Sequence, residues 1–103
     1  MKYVIAMKFR MDGTVRDNED AVRRLLDVYS KWTPPTSLKF HEFVGRVDGQ
    51  GSFAVVETDD VRDLMDASSK FGPYAEYEIH PVLDVADSVQ IAQESLAFRE
   101  SIS

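Results

Sequence analysis

The 103-residue chain contains 44% hydrophobic, 29% charged and 11% aromatic residues, a composition typical of one soluble globular domain and not of a disordered or membrane-embedded segment. Eighteen acidic and twelve basic residues give a net charge of −6 without a basic cluster, which argues against a nucleic-acid partner. The chain has no cysteine, and this excludes thiol catalysis, disulfides and zinc–thiolate sites.

The first predicted element is a strand over residues 2–10, which are rich in β-branched, aromatic and apolar types. Alternate residues such as Ile5 and Ala6 fall on opposite faces of this strand. The apolar run is interrupted by Lys8 and is too short for a signal peptide or a membrane span. We therefore expect a cytoplasmic protein that does not associate with membranes.

The second predicted element is an amphipathic helix in NEDAVRRLLDVYSKW, residues 18–32, where apolar side chains recur at three- and four-residue spacings. Asp17 or Asn18 is expected to cap its start, because carboxylate and amide oxygens accept hydrogen bonds from the free amides there. The helix ends before Pro34 and Pro35, which cannot donate backbone hydrogen bonds.

Two strands, residues 38–47 and 52–58, are predicted around the turn Asp48-Gly49-Gln50-Gly51. Glycine permits the positive φ angles that tight turns require, so this segment indicates a β-hairpin. A short second helix then begins after Asp59-Asp60 and ends at Gly72-Pro73.

Residues 76–83 alternate in the manner of an edge strand, and a terminal helix is predicted from Asp84 or Asp87 onward. The resulting βαββαβ order matches the ferredoxin-like fold, an α+β arrangement of one antiparallel four-stranded sheet with two helices on one face. We treat residues 1–103 as a single ferredoxin-like domain in which residues 84–103 form a C-terminal helical extension.

The two faces of this sheet are expected to differ in the size of their side chains. The helices are predicted to pack on a face of small residues, namely Val4, Ala6, Ala54 and Val56. The opposite face is predicted to carry Tyr3, Ile5, Met7, Phe9, Phe40, Phe53, Val55, Tyr77 and Ile79. Such a face is too apolar for water, so a second copy of the chain is expected to cover it in a dimeric α+β barrel with a lumen between the two sheets.

Four segments resemble one known family: Lys2-Tyr3-Val4, NEDAVRRLLDVYSKWTPP, VDGQGSFAVVETDD and KFGPYAEYEIHPVLD. The sequence is similar, up to about residue 84, to the family catalogued as domain of unknown function 3303, small bacterial proteins of the dimeric α+β barrel class. The resemblance implies a fold and a dimer. It implies no reaction and no set of catalytic residues.

The most specific candidate for chemistry is a pair of glutamates in the hairpin. If Val47 and Ser52 flank the turn, Glu42 lies opposite Glu57, and the shared negative charge raises the pKa of one carboxyl toward the range of a general acid or base. In the alternative interpretation, Glu42 is exposed and Glu57 accepts hydrogen bonds at a strand end. A register shifted by one residue instead places His41 opposite Glu57.

Aromatic residues are the candidates for ligand binding. Tyr3, Phe40 and Tyr77 are predicted to shape a site in the lumen, and Trp32 either lines that site or completes the helix–sheet core. His41 and His80 fall on the two outer strands without the spacing of metal ligands, so we expect neither a metal nor another cofactor.

The sequence therefore predicts a homodimer that binds a small, partly apolar organic molecule, with Glu42 and Glu57 as the polar groups of the site. An enzyme of this type would carry out proton transfer or oxygenation without a cofactor. The alternative is a non-catalytic interaction or regulatory module, in which the acidic surface and the terminal helix dock a protein partner.

Overall fold

A computed structural model describes all of residues 1–103. The elements are β1 (Lys2–Phe9), α1 (Val15–Lys31), β2 (Lys39–Gly45), β3 (Gly51–Glu57), α2 (Val61–Phe71), β4 (Ala75–Val82) and α3 (Val85–Ser101). The four strands form one antiparallel sheet in the order β2-β3-β1-β4. This arrangement confirms the ferredoxin-like α+β fold, and it makes β2 and β4 the outer strands.

Helix α1 begins earlier than the apolar periodicity predicts. The Thr14 hydroxyl accepts a hydrogen bond from the Asp17 amide at 3.1 Å, and the Asp17 carboxylate accepts one from the Thr14 amide at 3.4 Å. This capping box satisfies two backbone donors that would otherwise lack partners. The prediction of Asp17 or Asn18 as the N-cap was therefore wrong, and Thr14 has that role.

The boundaries of the other two helices follow the sequence closely. Asp60 caps α2 by accepting a hydrogen bond from the Arg62 amide at 3.0 Å, and α2 ends at Phe71, before the Gly72-Pro73 pair. Helix α3 starts directly after Asp84. The Asp84 carboxylate accepts a hydrogen bond from Lys2 Nζ at 2.9 Å, so an ion pair ties the start of α3 to the start of β1.

The hairpin contains the predicted turn, in which Gly49 adopts a positive φ of 73°. The strand register differs from the prediction, because Gly45 and not Val47 lies opposite Ser52. A β-bulge between Phe40 and Glu42 displaces the register once more toward the start of β2. An extra residue in one strand of an antiparallel pair leaves that residue without a partner, and here the residue is His41.

The prediction of which residues face the helices was wrong in most positions. Ile5 lies beside Ala54 in the register and is buried with it in a cluster that includes Leu64 of α2. Large and small residues therefore share the helix-facing side, where Tyr3, Met7, Phe9, Phe40, Tyr77 and Ile79 pack around the buried clusters. The alternation along each strand was predicted, but the helix-facing set was chosen by small size. In β1 the larger side chains face the helices, whereas in β3 the smaller ones do.

The opposite side of the sheet, termed the open face, carries Phe53 and Val55 as predicted, together with Val4, Ala6 and Val44. Phe53 is 44% exposed, and no helix of the chain covers it. Charged residues on the two outer strands and at the end of β3 surround these apolar residues. Among them are Glu42, Glu57, Glu76, Glu78 and His80.

Helix α3 has no buried residue. The molecule measures 61 × 31 × 21 Å, an elongated shape in which this helix is not part of the core. None of the helices combines the length and the apolar character that crossing a bilayer requires.

Candidate ligand-binding cavity

A cavity lies on the helix-facing side of the sheet, between the strands and the two helices α1 and α2. It has a volume of about 70 Å³ and opens to solvent. Of its 14 lining residues, 13 are hydrophobic. The lining comprises Leu25, Tyr29 and Trp32 from α1 and its C-cap, Leu38 from the following loop, Leu64, Ala67 and Phe71 from α2, and Ile5, Met7, Phe40, Phe43, Ser52, Ala54 and Tyr77 from the sheet.

Aromatic side chains form a connected wall along this cavity. Trp32 packs edge-on against Phe71 with ring centroids 5.4 Å apart, and Tyr29 lies 6.4 Å from Trp32. Tyr29 also meets Phe43 edge-on at 6.5 Å, and Phe43 stacks on Phe40 at 5.6 Å. These are the distances and angles at which aromatic pairs attract each other. The wall therefore links α1 to both α2 and the outer strand β2.

Trp32 is held in this wall by a polar contact with α2. Its indole Nε1 donates a hydrogen bond to Asp66 Oδ2 at 2.8 Å, and Asp66 Oδ1 forms an ion pair with Lys70 Nζ at 2.8 Å. Two hydrogen bonds lower the pKa of the Asp66 carboxyl. The bond from Lys70 has the larger effect, and the bond from Trp32 has the smaller one. The carboxylate thus stays ionised and fixes the orientation of the indole ring.

Tyr77 contributes a hydroxyl group in apolar surroundings. Burial is the one cause that raises the pKa of Tyr77, to about 12, with no contribution from a charged or hydrogen-bonding partner. The chain leaves no fully buried side-chain oxygen or nitrogen without a partner. Tyr77 is partly buried and is one of the residues that line the cavity.

Glu42 and Glu57 do not share a site. Glu42 lies opposite Val55, so the predicted register was wrong. Lys39 lies opposite Glu57, so the alternative register that set His41 opposite Glu57 was wrong as well. The side chain of the bulged His41 nevertheless reaches Glu57, with Nε2 2.8 Å from Glu57 Oε1. The hydrogen bond from His41 lowers the pKa of Glu57, whereas the pairing of two glutamates predicted a raised value. Neither glutamate lines the cavity.

The two histidines lie on opposite edges of the sheet, as predicted. His41 is on β2, and His80 is on β4, where its Nε2 lies 3.3 Å from Glu78 Oε2. Strands β3 and β1 separate them within one chain.

Comparison with known proteins identifies the family. The model of the family described as Domain of unknown function (DUF3303) matches residues 1–96. The chain belongs to this family. No curated protein matches it significantly. Among solved structures, the DUF3303 chain is similar to the de novo designed protein Foldit4, with 17% identity over 82% of this chain and 99% of that chain and a TM-score of 0.33.

The structure of this DUF3303 chain brings together three of the four predicted ligand residues. Phe40, Tyr77 and Trp32 line the cavity, whereas Tyr3 does not and packs against the buried cluster of Ile5. The expected location in the lumen of a dimer was wrong for Phe40 and Tyr77, because their side of the sheet faces the helices.

Sequence reasoning missed several lining residues of the DUF3303 cavity. Tyr29, Phe43 and Phe71 were not among the predicted ligand contacts. A usable signal was present in α1, where Leu25, Tyr29 and Trp32 recur at helical spacing and end in two large aromatic rings. Two large rings at the end of α1 indicate that this end of the helix lies farther from the sheet.

Proposed function

We propose that the chain binds a small apolar molecule in the cavity between α1, α2 and the sheet. The observation that carries the proposal is the almost entirely hydrophobic lining of a cavity that remains open to solvent. Protein interiors are normally close-packed, so an unfilled apolar cavity lowers the stability of the core. Small-molecule sites are commonly apolar clefts with few polar groups.

A pair of matched substitutions tests the location of the site. Ala67→Leu adds apolar bulk inside the cavity, and Ala6→Leu adds the same bulk on the open face. Trp32 is the one tryptophan of the chain and lines the cavity, so its fluorescence reports occupancy. The probe is ethylbenzene, a hydrocarbon of one ring, titrated into each protein.

We expect ethylbenzene to change the Trp32 emission of the natural chain and of Ala6→Leu, and to bind Ala67→Leu at least tenfold more weakly. Circular dichroism establishes that both variants are folded. Weaker binding to Ala6→Leu than to Ala67→Leu would locate the ligand between the sheets of a dimer and would refute the proposal. Absence of saturable binding to the natural chain would refute it as well.

The cavity favours binding over catalysis by the predicted glutamates. Its lining contains no carboxylate, and Glu57 is engaged by His41 on the other side of the sheet. A role for Glu42 and Glu57 in proton transfer or oxygenation thus stays a prediction without the shared site that motivated it.

A homodimer is part of this proposal, as is a cytoplasmic location. The open face supports the dimer, because Phe53 and Val44 expose 44% and 48% of their surface on neighbouring strands of an uncovered sheet face. Phe53→Lys is expected to convert a dimer into a monomer in sedimentation experiments, since it places a charge in the apolar contact. Val61→Lys, at a position 62% exposed on α2, is the control. A natural chain that sediments as a monomer at micromolar concentration would exclude the dimer.

A second candidate function, docking of a protein partner, is favoured by α3. This helix and its C-cap residue expose apolar side chains: Val85, Val89, Ile91, Leu96 and Phe98 in the helix, and Ile102 at the C-cap. Hydrogen exchange of the purified protein distinguishes the two cases. An α3 that exchanges as fast as an isolated helix lacks a partner and supports this function, whereas an α3 that is protected is covered by a second copy and argues against it.

A further inference from the structure

The absence of charged side chains from the cavity lining restricts the charge of its ligand. No side chain of Asp, Glu, Lys, Arg or His is among the lining residues. A charged ligand would lose its hydration there without gaining an ion pair, which is unfavourable in apolar surroundings. The ligand is therefore uncharged.

Two of the polar groups at the cavity differ in how free they are to bind. The Trp32 indole N–H already donates to Asp66. Tyr77 has no such partner, and its partly buried side chain lines the cavity. Because its pKa is about 12, this hydroxyl remains protonated at neutral pH and can donate a hydrogen bond.

We infer that the cavity selects neutral aromatic molecules that carry one hydrogen-bond acceptor, such as an aryl ketone, and that the Tyr77 hydroxyl binds this acceptor. The inference rests on the proposed function and adds the class of ligand to it. The connected wall of Trp32, Tyr29, Phe43 and Phe40 supplies ring faces and edges for an aromatic ligand. A hydroxyl donor in a largely apolar site orients a ligand and favours one that carries an acceptor. The other hydroxyl groups of the lining belong to Ser52 and to Tyr29, which is 50% exposed.

Three probes of similar size test the inference: ethylbenzene, acetophenone and benzoate. Ethylbenzene has no hydrogen-bond acceptor, acetophenone has a neutral carbonyl group, and benzoate carries a negative charge. Binding is followed by two-dimensional NMR, in which the Trp32 indole N–H is a signal at the cavity. Tyr77→Phe removes the hydroxyl and keeps the ring, and Tyr3→Phe is the matched control on the same side of the sheet but outside the cavity lining.

We expect acetophenone to bind Tyr77→Phe about fivefold more weakly than the natural chain, the equivalent of about 1 kcal/mol for one neutral hydrogen bond. The affinities of the natural chain and of Tyr77→Phe for ethylbenzene should agree within twofold. Tyr3→Phe should change the affinity for neither acetophenone nor ethylbenzene. Benzoate should not compete with ethylbenzene for the cavity.

The failures of the two proposals give different results. If none of the probes binds the natural chain, the proposed function is wrong. If ethylbenzene binds but Tyr77→Phe leaves the affinity for acetophenone unchanged, the cavity is a binding site and the role of Tyr77 is refuted. Binding of benzoate as tight as that of acetophenone would refute the restriction to uncharged ligands.

Discussion

The indole N–H of Trp32 donates to the Asp66 carboxylate at 2.8 Å and thereby joins the C-cap of α1 to the middle of α2. Trp32 also packs edge-on against Phe71 near the end of α2. These two contacts hold the end of α1 against α2 and set one wall of the cavity. The polar contact is partly buried, so it loses less to competition from water than a surface hydrogen bond does.

Replacement of Trp32 by phenylalanine should lower the free energy of unfolding by about 1 to 3 kcal/mol, because the variant keeps a ring but loses a hydrogen bond to a charged group. Urea denaturation measures the change. Lys70→Gln is the control, since it removes the exposed partner of Asp66 and should cost less than about 1 kcal/mol. Equal losses for the two variants would show that the indole N–H adds no stability.

Protonation of Asp66 should weaken the link between α1 and α2 at acid pH. Lys70 and Trp32 lower the pKa of Asp66 below its usual value of 3.8. A carboxyl with a lowered folded-state pKa contributes stability that is present above the unfolded pKa and is lost as the pH falls through the folded value. Trp32 emission should therefore change at a pH below 3.8, and this step should be absent in Asp66→Asn. An emission change centred above that pH would contradict the assignment.

Glu57 should titrate below its usual value of 4.5, because His41 donates a hydrogen bond to it. The stabilisation is present above pH 4.5 and is lost as the pH falls through the lowered pKa. Carbon-detected NMR of the side-chain carboxyls measures the value. In His41→Gln the pKa of Glu57 should rise. A step above 4.5 for Glu57 in the natural chain would contradict the stabilisation of its carboxylate by His41.

Gly51 is required by the close approach of β3 to β1. A Cβ at this position would overlap the backbone carbonyl of Met7, whereas a Cβ at Gly45 meets no atom within 4 Å. Gly51→Ala should therefore lower the free energy of unfolding by about 1 to 3 kcal/mol, because the backbone must shift. Gly45→Ala is the matched control and should be nearly neutral. A thermal unfolding experiment that ranks the two variants in the reverse order would show that the strands separate at little cost.

The sequence by itself determined the order of the elements. Prolines and glycines end the helices and close the hairpin through local backbone restrictions, so Pro34-Pro35, Gly72-Pro73 and Gly49 could be interpreted without knowledge of the fold. The start of α1 was missed, because its capping box lies outside the apolar pattern, in Thr14 and Asp17. The family also followed from short segments of sequence.

Only the tertiary structure decided which residues meet. The register that sets Gly45 opposite Ser52 places Glu42 opposite Val55 and away from Glu57. The bulge at His41 has no local signal, and the His41 side chain contacts Glu57. The faces of the sheet depend on the pairing of β1 with β3, which places Ile5 beside Ala54 across a large separation in sequence. The cavity arises from side chains of both helices and the sheet, among them Trp32 and Tyr77, and its volume depends on how far the helices stand from the strands. That distance results from the packing of all these side chains together, which no single segment of the sequence specifies.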